Sequence, residues 1–465
     1  MNTNNYMQID PKIFKAYDIR GIYPEEINEK NLKSIIQAIY TFLFNEKKQP
    51  LTIVLGRDMR LSSPQLFAIA KETLVAMGTS VIDVGMLSTP SFYFSVFHYG
   101  YDAGIQITAS HNPKEYNGIK FVKNSPHGLI KIGKSTGMED VKRMAVEGII
   151  NIPQGTGTVQ QKSDILKEEV ENALSLFGNP KLNTYKIVAD PANAMGAQYI
   201  EALFAKIPGE LIKMNFELDG SFPAHQPDPL NFENLKDLRA KVITEKADLG
   251  LAPDGDGDRL FFIDEKGNVV PATIITALVA RELLKKNPGA TILFDIRYIL
   301  TPQKIVEEYG GKSEITRVGH AFITEKLGQT GGLFAGESSA HYYYKANGNA
   351  ESQLATIISV LKVLTEEGKK LSEVVEELRR SYESGEINFT VSNAQEILKM
   401  LTEQYKDGDL STLDGIAISY PNWRFSVRTS NTEPLLRLNL EALTKEVMET
   451  KRDEVVELIR KVEKQ

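Results

Sequence analysis

Three stretches of this chain read as a strand that ends on an aspartate. They are "LTIVLGRD" at Asp58, "YKIVADP" at Asp190 and "ATILFDI" at Asp295. An unbroken β-branched and apolar run closed by a polar turn is the pattern of a strand covered on both faces. Downstream of each lies a second apolar run that stops in a polar loop: "AGIQITASHN", "DLGLAPDGDGD" and "GLFAGESSAH". Amphipathic helical stretches separate the runs. In "SSPQLFAIAKETLVAMG", for example, Leu66, Ile69, Ala70, Leu74 and Val75 recur at helical spacing before Gly78. The pattern predicts three α/β units of similar layout, each presenting one loop from the C-terminal ends of its strands. That edge is where open α/β sheets bind ligands.

The remainder follows a different rule. After a charged helix, Gly385 marks a boundary. "WRFSVRTS" then alternates Trp423, Phe425 and Val427 against Arg424, Ser426 and Arg428. "LLRLNLEA" sets Leu436, Leu438 and Leu440 against Arg437, Asn439 and Glu441. Period-two alternation predicts antiparallel strands with one wet face, in a smaller α+β domain. At 465 residues the chain exceeds what one core organises. The expected domains are 1–160, 161–266, 267–379 and 380–465.

Bulk composition narrows the partners. Net charge is −7, without a basic stripe, which argues against nucleic acid. The most apolar segment, "VVPATIITALVA", is too short to span a bilayer and contains a proline, so no membrane partner is expected. The first residues lack the apolar core of a signal peptide. There is no cysteine, which removes thiolate chemistry and suits a reducing, cytoplasmic setting.

Four loops concentrate chemistry. "PDGDGDRL" carries Asp254, Asp256 and Asp258, separated by glycines that let three carboxylates converge on one hard cation. An EF-hand competes, since Glu265 falls at its twelfth position. However, Arg259 occupies the place of the turn glycine, and "LFFI" reads as a strand. Mg²⁺ shared with a phosphate fits better. "SHNPKEYNGIK" places Ser110 beside His111, with Lys120 further on, and has neither a triad spacing nor a "GxSxG" elbow. "RTSNTEPLLR" gathers Arg428, Ser430, Asn431, Thr432 and Arg437, donors suited to phosphate oxygens or to a solvated turn. In "GESSAH", Glu337 and Ser339 could bind vicinal hydroxyls, and His341 either joins them or caps the turn.

Taken together, the loops resemble the α-D-phosphohexomutase family over nearly the whole chain. The family's T-A-S-H-N-P stands at Thr108 to Pro113, its D-G-D-G-D-R at Asp254 to Arg259, its G-E-x-S-x-H at Gly336 to His341, and its R-x-S-N-T-x-P at Arg428 to Pro434. "YDIRG" at Tyr17 to Gly21, "GRDMRLSSP" at Gly56 to Pro64, and Gly319 with His320 match as well. Some positions depart from the pattern. Ser338 and Ala340 replace more usual residues, and Arg297 stands where many members place lysine and is left unassigned.

The resemblance implies three similar α/β domains with mixed sheets plus a smaller C-terminal α+β domain, arranged around a central cleft. It implies interconversion of hexose 1-phosphate and hexose 6-phosphate, mannose and/or glucose, through phosphorylated Ser110 and a 1,6-bisphosphosugar. Ser110, Lys120, Arg20, Arg259 and His111 would be catalytic. Ser110, Asp254, Asp256 and Asp258 would hold Mg²⁺. Tyr17, His320, Glu337, Ser339, His341, Arg428, Ser430, Asn431, Thr432 and Arg437 would bind substrate. A monomer or homodimer is expected. Phosphoglucosamine mutase, a Mg-dependent sugar phosphatase and a non-catalytic sugar-phosphate sensor stand as alternatives.

Overall fold

A computed structural model describes residues 9–148, 155–391, 393–429 and 435–463. It divides into two compact units. One joins Met1–Val270 to His341–Ser372, and the other joins Pro271–Ala340 to Glu373–Gln465.

The first unit holds two mixed sheets. The larger has seven strands, ordered Ile19–Ile22, Tyr116–Ser125, Ala103–Ile107, Thr52–Arg57, Ser80–Met86 and Thr158–Gln161, with Gly128–Lys131 added beside Tyr116–Ser125. Thr52–Arg57 runs parallel to both neighbours, whereas Tyr116–Ser125 turns back antiparallel on Ala103–Ile107. The expected strand ending at Asp58 is therefore central. Ile53, Leu55, Ile105 and Ile107 are fully buried with Leu66, Ala70 and Leu74 of the helix Ser63–Ala76. Each large aliphatic side chain so buried contributes about 1.5–3 kcal/mol.

The second sheet runs Val269–Val270, Leu260–Asp264, Leu249–Pro253, Tyr185–Ala189, Gly209–Lys213. Its strand Leu249–Pro253 lies parallel to Tyr185–Ala189 and delivers the DGDGD loop from its C-terminal end. Leu260–Asp264 is a strand, as the sequence predicts. Glu265 accepts hydrogen bonds from the Ser372 hydroxyl (2.5 Å) and amide (3.1 Å), so it takes no twelfth ligand position and the EF-hand reading falls. The chain re-enters this unit as the hairpin Tyr342–Tyr344 with Ala350–Glu351, followed by the helix Gln353–Glu367.

In the second unit, Thr291–Asp295 lies between Lys312–Thr316 and Phe334–Gly336, all parallel. The C-terminal sheet is antiparallel throughout, ordered Tyr382–Glu383, Leu435–Ala442, Trp423–Thr429, Ile416–Ser419, Asp409–Ser411, with Ile387–Thr390 also on Leu435–Ala442. Trp423, Phe425, Val427, Leu436, Leu438 and Leu440 form its core, as the alternation predicts. The expectation of a wet opposite face is wrong. Arg424, Ser426, Asn439 and Glu441 are buried there. The Glu441 carboxylate accepts from Arg424 (3.1 Å), Ser381 (3.1 Å) and the amides of Ile299 (2.6 Å) and Leu300 (3.2 Å). Alternation reports two chemically different faces, and a polar face can be covered when its hydrogen bonds are met internally.

Candidate active site

Ser110 follows the buried strand Ala103–Ile107 and takes φ 51°, a left-handed conformation uncommon for a residue with a Cβ. Arg60 holds it there. This fully buried guanidinium donates to the carbonyls of Ser110 (2.7 Å), Asn112 (2.6 Å), Pro113 (2.7 Å) and Tyr116 (3.0 Å). Asp58 lies 3.2 Å from Arg60 Nε and fixes it further by accepting from its backbone amide and from the Ser63 hydroxyl. A buried cation is costly unless paired and hydrogen-bonded, and Arg60 is paired by Asp58 and hydrogen-bonded through both terminal nitrogens to the loop's own carbonyls. Arg20 pairs with Asp18 and donates to Asn112 Oδ1 (2.6 Å).

The aspartate loop packs directly on this serine. A Cβ at Gly255 would lie 2.3 Å from the Ser110 carbonyl oxygen, so only glycine allows the approach. The Ser110 hydroxyl donates to Asp254 Oδ2 (3.0 Å), and His111 Nδ1 lies 3.2 Å from the same Oγ. Thr89, at the start of the helix Thr89–His98, donates its hydroxyl to Asp256 Oδ2 (2.6 Å) and its amide to the Asp256 carbonyl (2.8 Å). Lys120 comes from the antiparallel strand Tyr116–Ser125 and bridges Asp256 and Asp258 at 2.6 Å each. His341 Nε2 lies 3.2 Å from Asp258 Oδ1 and 3.5 Å from Arg259 Nε, while the Arg259 amide donates to Asp254 (3.1 Å).

This arrangement is rich in negative charge. One oxygen from each of Asp254, Asp256 and Asp258 lies within 4.8 Å of the others, and all three residues are buried. Burial, with Asp258 and Asp256 alongside, pushes the Asp254 carboxyl up to about 7. Against its own burial, Lys120 and His341 hold Asp258 well below the usual range. Three buried carboxylates that crowd their oxygens together make a site that a hard divalent cation fits, with oxygen donors only. Despite burial, Asp256 and Asp258 hold the Lys120 ammonium well above the lysine range, so the shift is upward and not the lowering that a basic Lys120 would need. Burial, together with Arg259 and Arg20, pushes His111 well below its ordinary value and keeps the ring neutral.

In the second unit, Arg297 forms the centre of another cluster. It pairs with Asp295 (2.9 Å) and donates to Glu337 (3.2 Å) and Ser339 (3.4 Å). Asp295 also accepts from the Ser338 amide (2.6 Å), which shapes the loop. Arg428 and Arg437 sit directly opposite one another on neighbouring strands, and both contact Glu386. His320 opens the helix His320–Thr330, and Tyr17 lies half-buried in a bend before Ile19–Ile22. Ser430, Asn431 and Thr432 lie outside the described residues.

Within the first unit, then, Ser110, His111, Lys120, Arg259, His341 and the three aspartates come together, and Arg20 reaches the same serine loop through Asn112. Sequence reasoning missed Thr89, whose only signal is a Ser-Thr-Pro helix start, and Arg60, which lay unassigned inside "GRDMRLSSP". It also missed the buried Lys131–Glu351 pair, in which the Lys131 ammonium lies 4.6 Å from the centre of the Tyr93 ring and 5.0 Å from that of Tyr343. No residue spacing announces that pair.

An esterifiable serine against an acidic triad and a buried lysine, on loops at α/β strand ends, has the make-up of a metal-assisted phosphoryl-transfer enzyme. Four successive family models match: phosphoglucomutase/phosphomannomutase α/β/α domain I at residues 11–135, domain II at 168–267, domain III at 272–382 and the C-terminal domain at 386–458. The chain is 36% identical to a phosphomannomutase of Escherichia coli, covering 96% of this chain and 99% of that one. It is 38% identical to a phosphomannomutase of Methanocaldococcus jannaschii, covering 98% and 99%. A crystal structure of a phosphoglucomutase/phosphomannomutase family protein from Burkholderia thailandensis is similar at TM-score 0.86 and 30% identity, over 97% of this chain and 98% of that one. The chain belongs to the phosphoglucomutase/phosphomannomutase family, and it is an enzyme that isomerises hexose phosphates.

Proposed function

We propose that the protein moves a phosphoryl group between O1 and O6 of a hexose phosphate, mannose and/or glucose, with Ser110 as the covalent carrier and a 1,6-bisphosphosugar between the two half-steps. The observation that carries this reading is the Ser110 hydroxyl held 3.0 Å from Asp254 inside a buried triad. In the first half-step the bond from phosphorus to Ser110 Oγ breaks as one to the sugar hydroxyl oxygen forms, and that hydroxyl gives up its proton as Ser110 Oγ gains one. In the second, Ser110 Oγ loses its proton and takes the phosphoryl group from the other sugar oxygen, which is protonated in turn. Neutral His111, with Nδ1 3.2 Å from Oγ, can pass a proton to and from that atom. Lys120, kept charged, and Arg259 place positive charge where phosphoryl oxygens gain density. A divalent cation, Mg²⁺ in this reading, would be held by Asp254, Asp256, Asp258 and Ser110 and would neutralise those oxygens as a Lewis acid.

Substrate grip is assigned to Glu337 and Ser339 for the sugar hydroxyls, braced by Arg297, and to Arg428, Arg437, Ser430, Asn431 and Thr432 for the phosphate that is not reacting. Tyr17, His320 and His341 complete the binding set. The curated relatives named phosphomannomutase favour mannose. Among the described residues no helix is long and apolar enough to cross a membrane, and we place the enzyme in the cytoplasm as a monomer or homodimer.

Supplying mannose, glucose or glucosamine 1-phosphate with Mg²⁺ and a trace of the matching 1,6-bisphosphate, and following phosphorus NMR, tests the reading. The 6-phosphate should accumulate without free phosphate, faster for mannose or glucose than for glucosamine. Free phosphate without 6-phosphate would make the protein a phosphatase instead.

A further inference from the structure

Arg428 and Arg437 are direct cross-strand partners, and like charges in that relation destabilise a sheet. Among the described residues, the carboxylate that touches both arginines is Glu386, with Asp414 adding negative charge near Arg428. Glu386 places Oε2 3.3 Å from Arg428 Nη2 and Oε1 3.2 Å from Arg437 Nη1. It follows Gly385, whose φ of 74° turns the chain, and precedes the strand Ile387–Thr390, which pairs with the strand carrying Arg437. One anion dividing its two oxygens between two guanidiniums is the arrangement a phosphate group would adopt there.

Two further observations mark this carboxylate as a partial substitute. Arg428 is 9% exposed, and among the described residues its Nε makes no hydrogen bond. Burial, and then the neighbouring Arg297, lower the Arg428 pKa, while Glu386 and Asp414 oppose them. The Glu386 side chain, at 26% exposure, keeps contact with solvent and can be released into it.

We infer that Glu386 is the resident anion of the phosphate subsite, holding Arg428 and Arg437 when no phosphate does and yielding when one arrives. The inference rests on the phosphate-clamp reading of Arg428 given above. Its consequence for turnover is specific. A bisphosphosugar that must turn around has to leave this clamp once per cycle. An internal carboxylate means that two facing guanidiniums are never left bare while it does so. Glu386 thus weakens phosphate binding and speeds phosphate exchange together.

The test measures inorganic phosphate binding by calorimetry, and KM and kcat with glucose 1-phosphate, for the wild type, Glu386→Gln, Glu386→Asp and Arg428→Ala. Glu386→Gln should bind phosphate about 2- to 5-fold more tightly, the range of a partly exposed ion pair, with KM and kcat both falling. Glu386→Asp, which keeps the charge, should stay near wild type. Phosphate binding unchanged or weaker in Glu386→Gln would make Glu386 a brace for the arginines and overturn the inference. Arg428→Ala decides the underlying reading separately: unchanged phosphate affinity there would remove the clamp itself, whatever Glu386 does.

Discussion

The two charged clusters solve opposite problems. In the first unit, Ser110, the three aspartates and Lys120 are buried, with Thr89 and Lys120 on Asp256, Lys120 and His341 on Asp258, and Arg60 on the serine loop. In the second unit, Arg428 and Arg437 share one partly exposed carboxylate that another anion could replace. Phosphoryl transfer gains from charges set in place beforehand, because nothing then has to reorganise at the moment of reaction. A grip that must open in every cycle gains from exchangeable partners. Changes in the first cluster should therefore cost kcat and metal binding, and loss of an arginine from the second should fall on KM.

Among the charged residues of the two clusters, the largest effect should come from Asp256→Asn. Losing one carboxylate of the triad should weaken Mg²⁺ binding about 10- to 100-fold, by analogy with supporting groups of metal sites, and lower kcat with it. An unchanged Mg²⁺ titration would break the comparison on its first side. Arg428→Ala should come next. The loss of charge-assisted hydrogen bonds to phosphate, worth about 1.5–3 kcal/mol, should raise KM by about 10- to 100-fold. A fall confined to kcat would contradict a clamp.

The smallest effect is on stability. Glu383, in the second unit, is half-buried, hydrogen-bonded by Thr273 and close to Glu441. Chiefly through burial its pKa rises from 4.5 to about 8. Across that window the folded chain holds a proton that the unfolded chain has lost, so stability is full below the lower value and declines as pH rises, by at most about 1.4 kcal/mol per pH unit. Glu383→Gln should flatten the decline of Tm between about pH 5 and 8. An unaltered slope would show that Glu383 is ionised in the fold.

Much of this was legible in the sequence, and the pattern of what was not is physical. Unbroken apolar runs located the strands Thr52–Arg57, Tyr185–Ala189 and Thr291–Asp295 because burial on both faces leaves no other composition open to them. The aspartates and Ser110 were legible because dense polar and glycine loops at strand ends are rare without a ligand. Arg60, Thr89 and Glu386 act through partners that are 50, 167 and 42 residues distant. Spacing carries no trace of such contacts. The covered polar face of the C-terminal sheet escaped for a related reason. Alternation separates Arg424 and Glu441 from their apolar neighbours but cannot reveal that they satisfy each other.

The central claim is that Ser110 carries the phosphoryl group. Incubating the enzyme with a radiolabelled hexose 1,6-bisphosphate and Mg²⁺, then digesting it and mapping the label by mass spectrometry, tests this directly. The account predicts label on Ser110, chased off by hexose 6-phosphate, and none on Ser110→Ala, which should also fail to turn over. Turnover in Ser110→Ala, or label that settles on another residue in the wild type, would contradict it.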